Sequence, residues 1–104
     1  MRKCIIIFKN SKIYYKLLID EEKNVCSFNN QNKQININTL LEKIENIIFS
    51  WQPANTTNGI VLDGNTFEIY YQNNNDELLQ LKYNSLSMPS NAIDLYKLLE
   101  ALNG

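Results

Sequence analysis

VLDGNTFEIYYQNNNDELLQLKY, residues Val61 to Tyr83, decides how the chain folds. Asp63-Gly64, followed by two tyrosines and the acidic pair Asp76-Glu77, reads either as the lip of a binding pocket or as a bend between strands. Pairing arithmetic favours the bend. With Asp63-Gly64 at the two central positions of a tight turn, where both residues need positive φ, Leu62 faces Asn65, Val61 faces Thr66 and Ile60 faces Phe67. One side of the ribbon then carries Ile60, Leu62, Phe67, Ile69 and Tyr71. The next connection, Asn73 to Glu77, has an odd number of residues. That parity sets Tyr71 against Leu79, Ile69 against Leu81 and Phe67 against Tyr83. The outer side gains an attractive pair, Glu68 against Lys82. Asparagine tolerates left-handed backbone, which suits Asn73, Asn74 and Asn75 to the loop.

Alternation sets the opening of the chain in the same way. A two-residue turn at Asn10-Ser11 sets Phe8 against Ile13, Ile6 against Tyr15 and Cys4 against Leu17, with Ile5, Ile7, Tyr14 and Lys16 on the other side. A third strand, Val25 to Asn29, follows the charged bend from Asp20 to Asn24, with Ile19 opposite Cys26 and Leu17 opposite Phe28. Cys4 and Cys26 then share a face with a strand between them. At ~4.8 Å per strand they stand roughly 9 to 10 Å apart, too far for a disulfide, and two buried free thiols are expected. The polar segment Asn29 to Asn38 reads as a loop or a frayed strand end.

Thr39-Leu40-Leu41-Glu42 has the form of a helix start, in which a hydroxyl and a carboxylate satisfy free backbone donors. Leu40, Leu41, Ile44, Ile47, Ile48 and Trp51 then recur at helical spacing, opposite Glu42, Lys43, Glu45 and Asn46. Pro53 stops this helix, and Pro53 to Gly59 is a connector. A last helix begins near Ser90 or Asn91, after Pro89, with Ala92, Leu95, Tyr96, Leu99 and Leu102 as its inward stripe. The expectation is a single α+β domain over residues 1–104. Its antiparallel sheet has about six strands in the order βββ-α-βββ-α, with two amphipathic helices on one face; two subsheets are the alternative.

The chain has 104 residues, a formal net charge of −1 and 44% hydrophobic residues, enough for a self-sufficient core and neither disordered nor strongly basic. The apolar run from Cys4 to Phe8 ends at Lys9, short of the ~7 to 15 apolar residues of a cleavable signal, so a cytoplasmic protein with no membrane segment is expected. With no histidine there is no Ser-His or Cys-His relay, and neither cysteine has a partner at metal-ligand spacing. Three glycines, widely separated, make no phosphate-binding loop. Glu21-Glu22 and Asp76-Glu77 lie in bends, where carboxylates solvate a turn. No catalytic residue, metal or cofactor is expected.

A nucleic-acid reading rests on Lys9 to Lys16, KNSKIYYK, where lysines interleave with Tyr14 and Tyr15. Against it, Tyr15 belongs to the core, and the acidic residues concentrate after residue 41, where they would repel a phosphate backbone. A protein partner fits better. If both helices cover one sheet face, the other shows Ile5, Ile7, Tyr14, Leu18, Val61, Tyr70 and Leu78 among Lys16, Glu68 and Lys82, more apolar material than a solvated face gathers. The expected occupant is another protein, anchored on Tyr14 and Tyr70, or a second copy of the chain as a homodimer.

From Trp51 onward the layout is a tryptophan closing a helix, LDGNTFEIYY as a hairpin, a strand ending KYNS, then Pro89 and a short leucine-rich terminal helix. This layout, over about half of the chain, resembles small bacterial immunity proteins, the cytoplasmic antidotes encoded beside contact-dependent or polymorphic toxins. The resemblance implies tight binding of one toxin, blocking its active site or its assembly through charge complementarity. Asp63, Glu68, Asp76 and Glu77 would then face a basic nuclease.

Overall fold

A computed structural model describes residues 1–52 and 64–104. Its elements are β1 Lys3–Lys9, β2 Tyr14–Asp20, β3 Val25–Phe28, β4 Gln31–Asn32, α1 Ile37–Ile48, β5 Thr66–Gln72, β6 Leu78–Tyr83 and α2 Ala92–Asn103. All six strands form one antiparallel sheet in the order β4-β3-β2-β1-β5-β6. The class is α+β, as the patterning predicts. Among the described residues four strands precede α1 and two follow it. The short strand β4 emerges from the segment expected to be a loop or frayed end, while the strand expected at Ile60 to Leu62 and the Asp63 turn lie outside the described residues. Phe67 lies opposite Phe8 on one side and Tyr83 on the other.

The β5–β6 and β2–β3 registers are those that alternation predicts: Phe67 opposite Tyr83, Glu68 opposite Lys82, Ile19 opposite Cys26, Leu17 opposite Phe28. The β1–β2 register is corrected by two residues. Phe8 faces Tyr15, Ile6 faces Leu17 and Cys4 faces Ile19. The cause is the loop. The side-chain oxygen of Asn10 accepts from the backbone N–H groups of Lys12 and Ile13, and the Asn10 N–H donates to the Ile13 carbonyl, which stabilises a four-residue connection in place of a two-residue one. A shift of two preserves parity, so every side chain keeps its face.

Both helices cover one face. Tyr96 of α2 packs against Phe8 and Tyr15, with ring centroids 5.0 and 6.2 Å apart. Trp51, just past α1, meets Phe67 and Tyr83 edge-on at 6.4 and 5.4 Å. Beneath them Ile6, Leu17, Ile69, Leu41, Ile44, Leu95 and Leu99 are fully buried. Cys4 and Cys26 are both buried and free. Helix α1 starts two residues before the expected Thr39. Its cap is Asn36, whose side-chain oxygen accepts from the Thr39 N–H at 3.0 Å, and the earlier start buries Ile37 as well. Glu45, expected on the solvent side of α1, is half-buried at one end of the sheet.

Candidate functional site

Among the described residues no helix lies on the opposite face of the sheet. Along β1 it presents Lys3, Ile5, Ile7 and Lys9; along β2, Tyr14, Lys16, Leu18 and Asp20; along β5, Thr66, Glu68, Tyr70 and Gln72. These positions alternate with the buried ones of each strand. The register aligns them in cross-strand rows. Leu18, Ile5, Tyr70 and Gln80 form one row, and Lys16, Ile7, Glu68 and Lys82 the next. Ile5, Ile7, Leu18 and Tyr70 are half-buried and lie outside the core cluster.

Of the residues singled out in the sequence, Tyr14, Lys16, Glu68, Tyr70 and Lys82 share this face. Tyr14 is 55% exposed, an aromatic ring directly opposite Lys9 and free to meet a partner. Asp76 and Glu77 are not on the face. They sit in the β5–β6 turn, where Asn73 organises the backbone and Gln72 donates to the Asp76 carboxylate at 3.2 Å. Asp63 lies outside the described residues. The expected single acidic surface is therefore not assembled: Glu68 stands among lysines, and the turn carboxylates are at the end of the sheet. Lys3 is not singled out in the sequence, and Lys9 only as the start of a basic strand, although alternation from Cys4 already puts both beside Ile5 and Ile7.

A second feature, absent from the sequence reading, is a polar cluster around the single arginine. The guanidinium of Arg2 donates to Glu21 at 2.8 Å, to Glu45 at 2.6 Å and to Asn38 at 3.1 Å, and the Tyr71 hydroxyl donates to Glu45 at 2.8 Å. The side-chain hydrogen bond from Arg2, and next its backbone N–H, hold the Glu21 carboxyl down at about 2. Burial and the hydrogen bond to Glu45 push the Tyr71 hydroxyl well above its ordinary value. Each carboxylate is committed to Arg2, so the cluster is a clasp between the chain start, β5 and α1. It offers no free acid or base.

The concave sites agree with that reading. A groove of about 340 Å³ runs between the start of α2 and the sheet, with Phe8, Phe67, Met88, Ile93 and Tyr96 among its lining. Its one titratable group is the Tyr96 phenol, raised by its hydrogen bond to Glu100. Among the described residues no three Cys, Asp or Glu side chains gather as metal ligands. No helix there is long and apolar enough to cross a membrane. Comparisons with protein-family models, curated proteins and solved structures return no match.

Proposed function

We propose that the protein is a cytoplasmic, non-catalytic binding domain that takes another protein on its helix-free sheet face, most concretely as an antidote that neutralises a bacterial toxin. One observation supports this above the others: Ile5, Ile7, Leu18 and Tyr70 form a contiguous half-buried patch that neither helix covers. Its make-up, aliphatic and aromatic at the centre with charges around it, is the pattern of a protein interface. Exposed Tyr14 and half-buried Tyr70 supply rigid amphipathic anchors. The toxin reading adds the immunity-protein layout from Trp51 onward, and the lysines on the face favour a toxin surface with carboxylates at its rim.

The test is protection. Cells expressing the toxin encoded beside this gene should survive when they also express the wild-type chain. Ile7→Lys combined with Tyr70→Ala should abolish survival while leaving the unfolding midpoint of the purified protein within the usual range for surface changes, about 0.5 kcal/mol. Absence of protection by the wild type rules out the toxin reading. Equal protection by the double variant rules out the face.

A further inference from the structure

The charges around the open face are sorted along the strand direction. At the end that carries the β1–β2 loop stand Lys9 and Lys12, with Lys16 and Lys82 in the row behind. At the opposite end Asp20 closes β2, Glu22 lies in the following turn, and, beyond the edge of the face, Asp76 and Glu77 occupy the β5–β6 turn. Among the described residues Glu68, Arg2, Lys3 and Lys23 run against this order, but Glu68 lies opposite Lys82, Lys3 lies opposite Asp20, and Arg2 is paired with Glu21 and Glu45. Between the ends lie Ile5, Ile7, Leu18 and Tyr70.

Such a surface is complementary to itself when reversed. A half-turn about an axis in the plane of the sheet and perpendicular to the strands lays the lysine end of one copy over the acidic end of another. The same operation keeps the aliphatic centres in contact, Ile5 of one copy over Ile7 of the next, and sets Lys9 over Lys3, a like-charge meeting on β1 that the contacts at the other strands must outweigh. We propose that two copies of this chain pack open face to open face in this arrangement, each lysine end over the other's acidic turns. An isologous contact of two sheets stacked ~10 Å apart needs no further element. β1, β2 and β5 with seven residues each, β6 with six and β3 with four, at ~3.3 Å per residue and ~4.8 Å per strand, give a face of about 490 Å² per copy, at the lower limit for a specific interface. The dimer is therefore weak and salt-sensitive, and a toxin competes with it for the face. The inference rests on the open face alone, so a protein that protects cells yet never dimerises sinks the dimer and leaves the proposed function standing.

Sedimentation velocity on the full chain decides it, from about 10 µM to about 500 µM, in about 0.05 M and about 0.5 M salt. The wild type should pass from monomer to dimer with concentration, less readily at high salt. Lys12→Glu with Lys82→Glu makes both ends acidic and should raise the dimer dissociation constant about tenfold or more. Adding Glu22→Lys and Glu77→Lys reverses the polarity and should restore the dimer, a recovery that a misfolded protein would not show. A wild type that stays monomeric at the highest concentration overturns the proposal, as does a dimer that ignores the first pair of changes. A random single-stranded 20-nucleotide DNA bound at low salt and released by the same pair would overturn it too, by assigning the lysine end to nucleic acid.

Discussion

The indole nitrogen of Trp51 donates to the side-chain oxygen of Asn91 at 2.6 Å, and the amide nitrogen of the same Asn91 donates to the Ile47 carbonyl at 3.1 Å. Asn91 stands at the N-terminal end of α2 yet makes no capping bond there. Its side chain instead closes the last turn of α1 and so ties the two helices together above the sheet. Asn91→Ala leaves the indole N–H of buried Trp51 without its partner and should cost about 2 kcal/mol. Asn91→Asp keeps the acceptor but loses the donor to Ile47, and should recover only part of that loss. Urea unfolding followed by the fluorescence of the single tryptophan reads both; an unchanged midpoint in the alanine variant would show that the tie is idle.

Arg2 and Glu21 predict how the fold responds to acid. The Glu21 carboxyl titrates at about 2 in the folded chain, against an ordinary glutamate value of about 4.3. A carboxylate depressed by folding adds stability that is present above its unfolded pKa and is lost as pH falls through the folded one. The wild type should therefore lose stability steadily from about pH 5 toward about pH 2. Glu21→Gln should flatten that limb, and urea midpoints measured across the range would expose parallel curves if the pair contributed nothing.

What the sequence made legible follows from what alternation can see. The β5–β6 register could be read because five loop residues and the Glu68–Lys82 pair agree on one parity, and β2–β3 because Ile19 and Phe28 leave one sensible match. The β1–β2 offset could not be read, since a side-chain turn at Asn10 changes loop length without changing which face a residue takes. Sheet order is non-local. Nothing periodic in the chain says that β5 lies against β1, yet only that neighbour relationship brings Lys16 and Glu68 to either side of Ile7 and assembles the open face. The Arg2 clasp was invisible for the same reason: Glu21 comes from the β2–β3 turn, Asn38 and Glu45 from α1 and Tyr71 from β5, and no spacing links these three segments to Arg2. At the start of α1 both Asn36 and Thr39 are good caps by residue type, and burial of Ile37 favours the earlier one.

Burial of the two thiols makes them inert. Cys4 is 1% exposed, and loss of hydration, with the nearby charge of Glu45 adding to it, pushes its thiol up to about 12. Burial raises Cys26 as well. Because the unfolded chain ionises its cysteines near 8.5, the stability tied to a buried Cys4 is intact below that value and drains away as pH rises from about 8.5 toward 12. An aromatic disulfide reagent at about pH 8 should label neither thiol in the native protein and both in urea. Rapid stoichiometric labelling without denaturant would contradict the burial.

Asn73 and Asp76 make the β5–β6 turn a place where two neighbouring changes should have opposite signs. The Asn73 side-chain oxygen accepts from the N–H groups of Asn75 at 2.9 Å and Glu77 at 3.0 Å, holding the five-residue loop on which the Phe67 to Tyr83 register depends. Asn73→Ala leaves the bend without those bonds and should cost about 1 kcal/mol. Asp76 has φ of 60°, a left-handed conformation that a side chain disfavours. Asp76→Gly removes the Cβ conflict and gives up only an exposed bond from Gln72, so it should be neutral or stabilising by up to about 1 kcal/mol. Thermal unfolding of the two variants side by side is the check. If both lowered the midpoint alike, the turn would be held by the Asp76 carboxylate rather than by its backbone, and the left-handed residue would need another explanation.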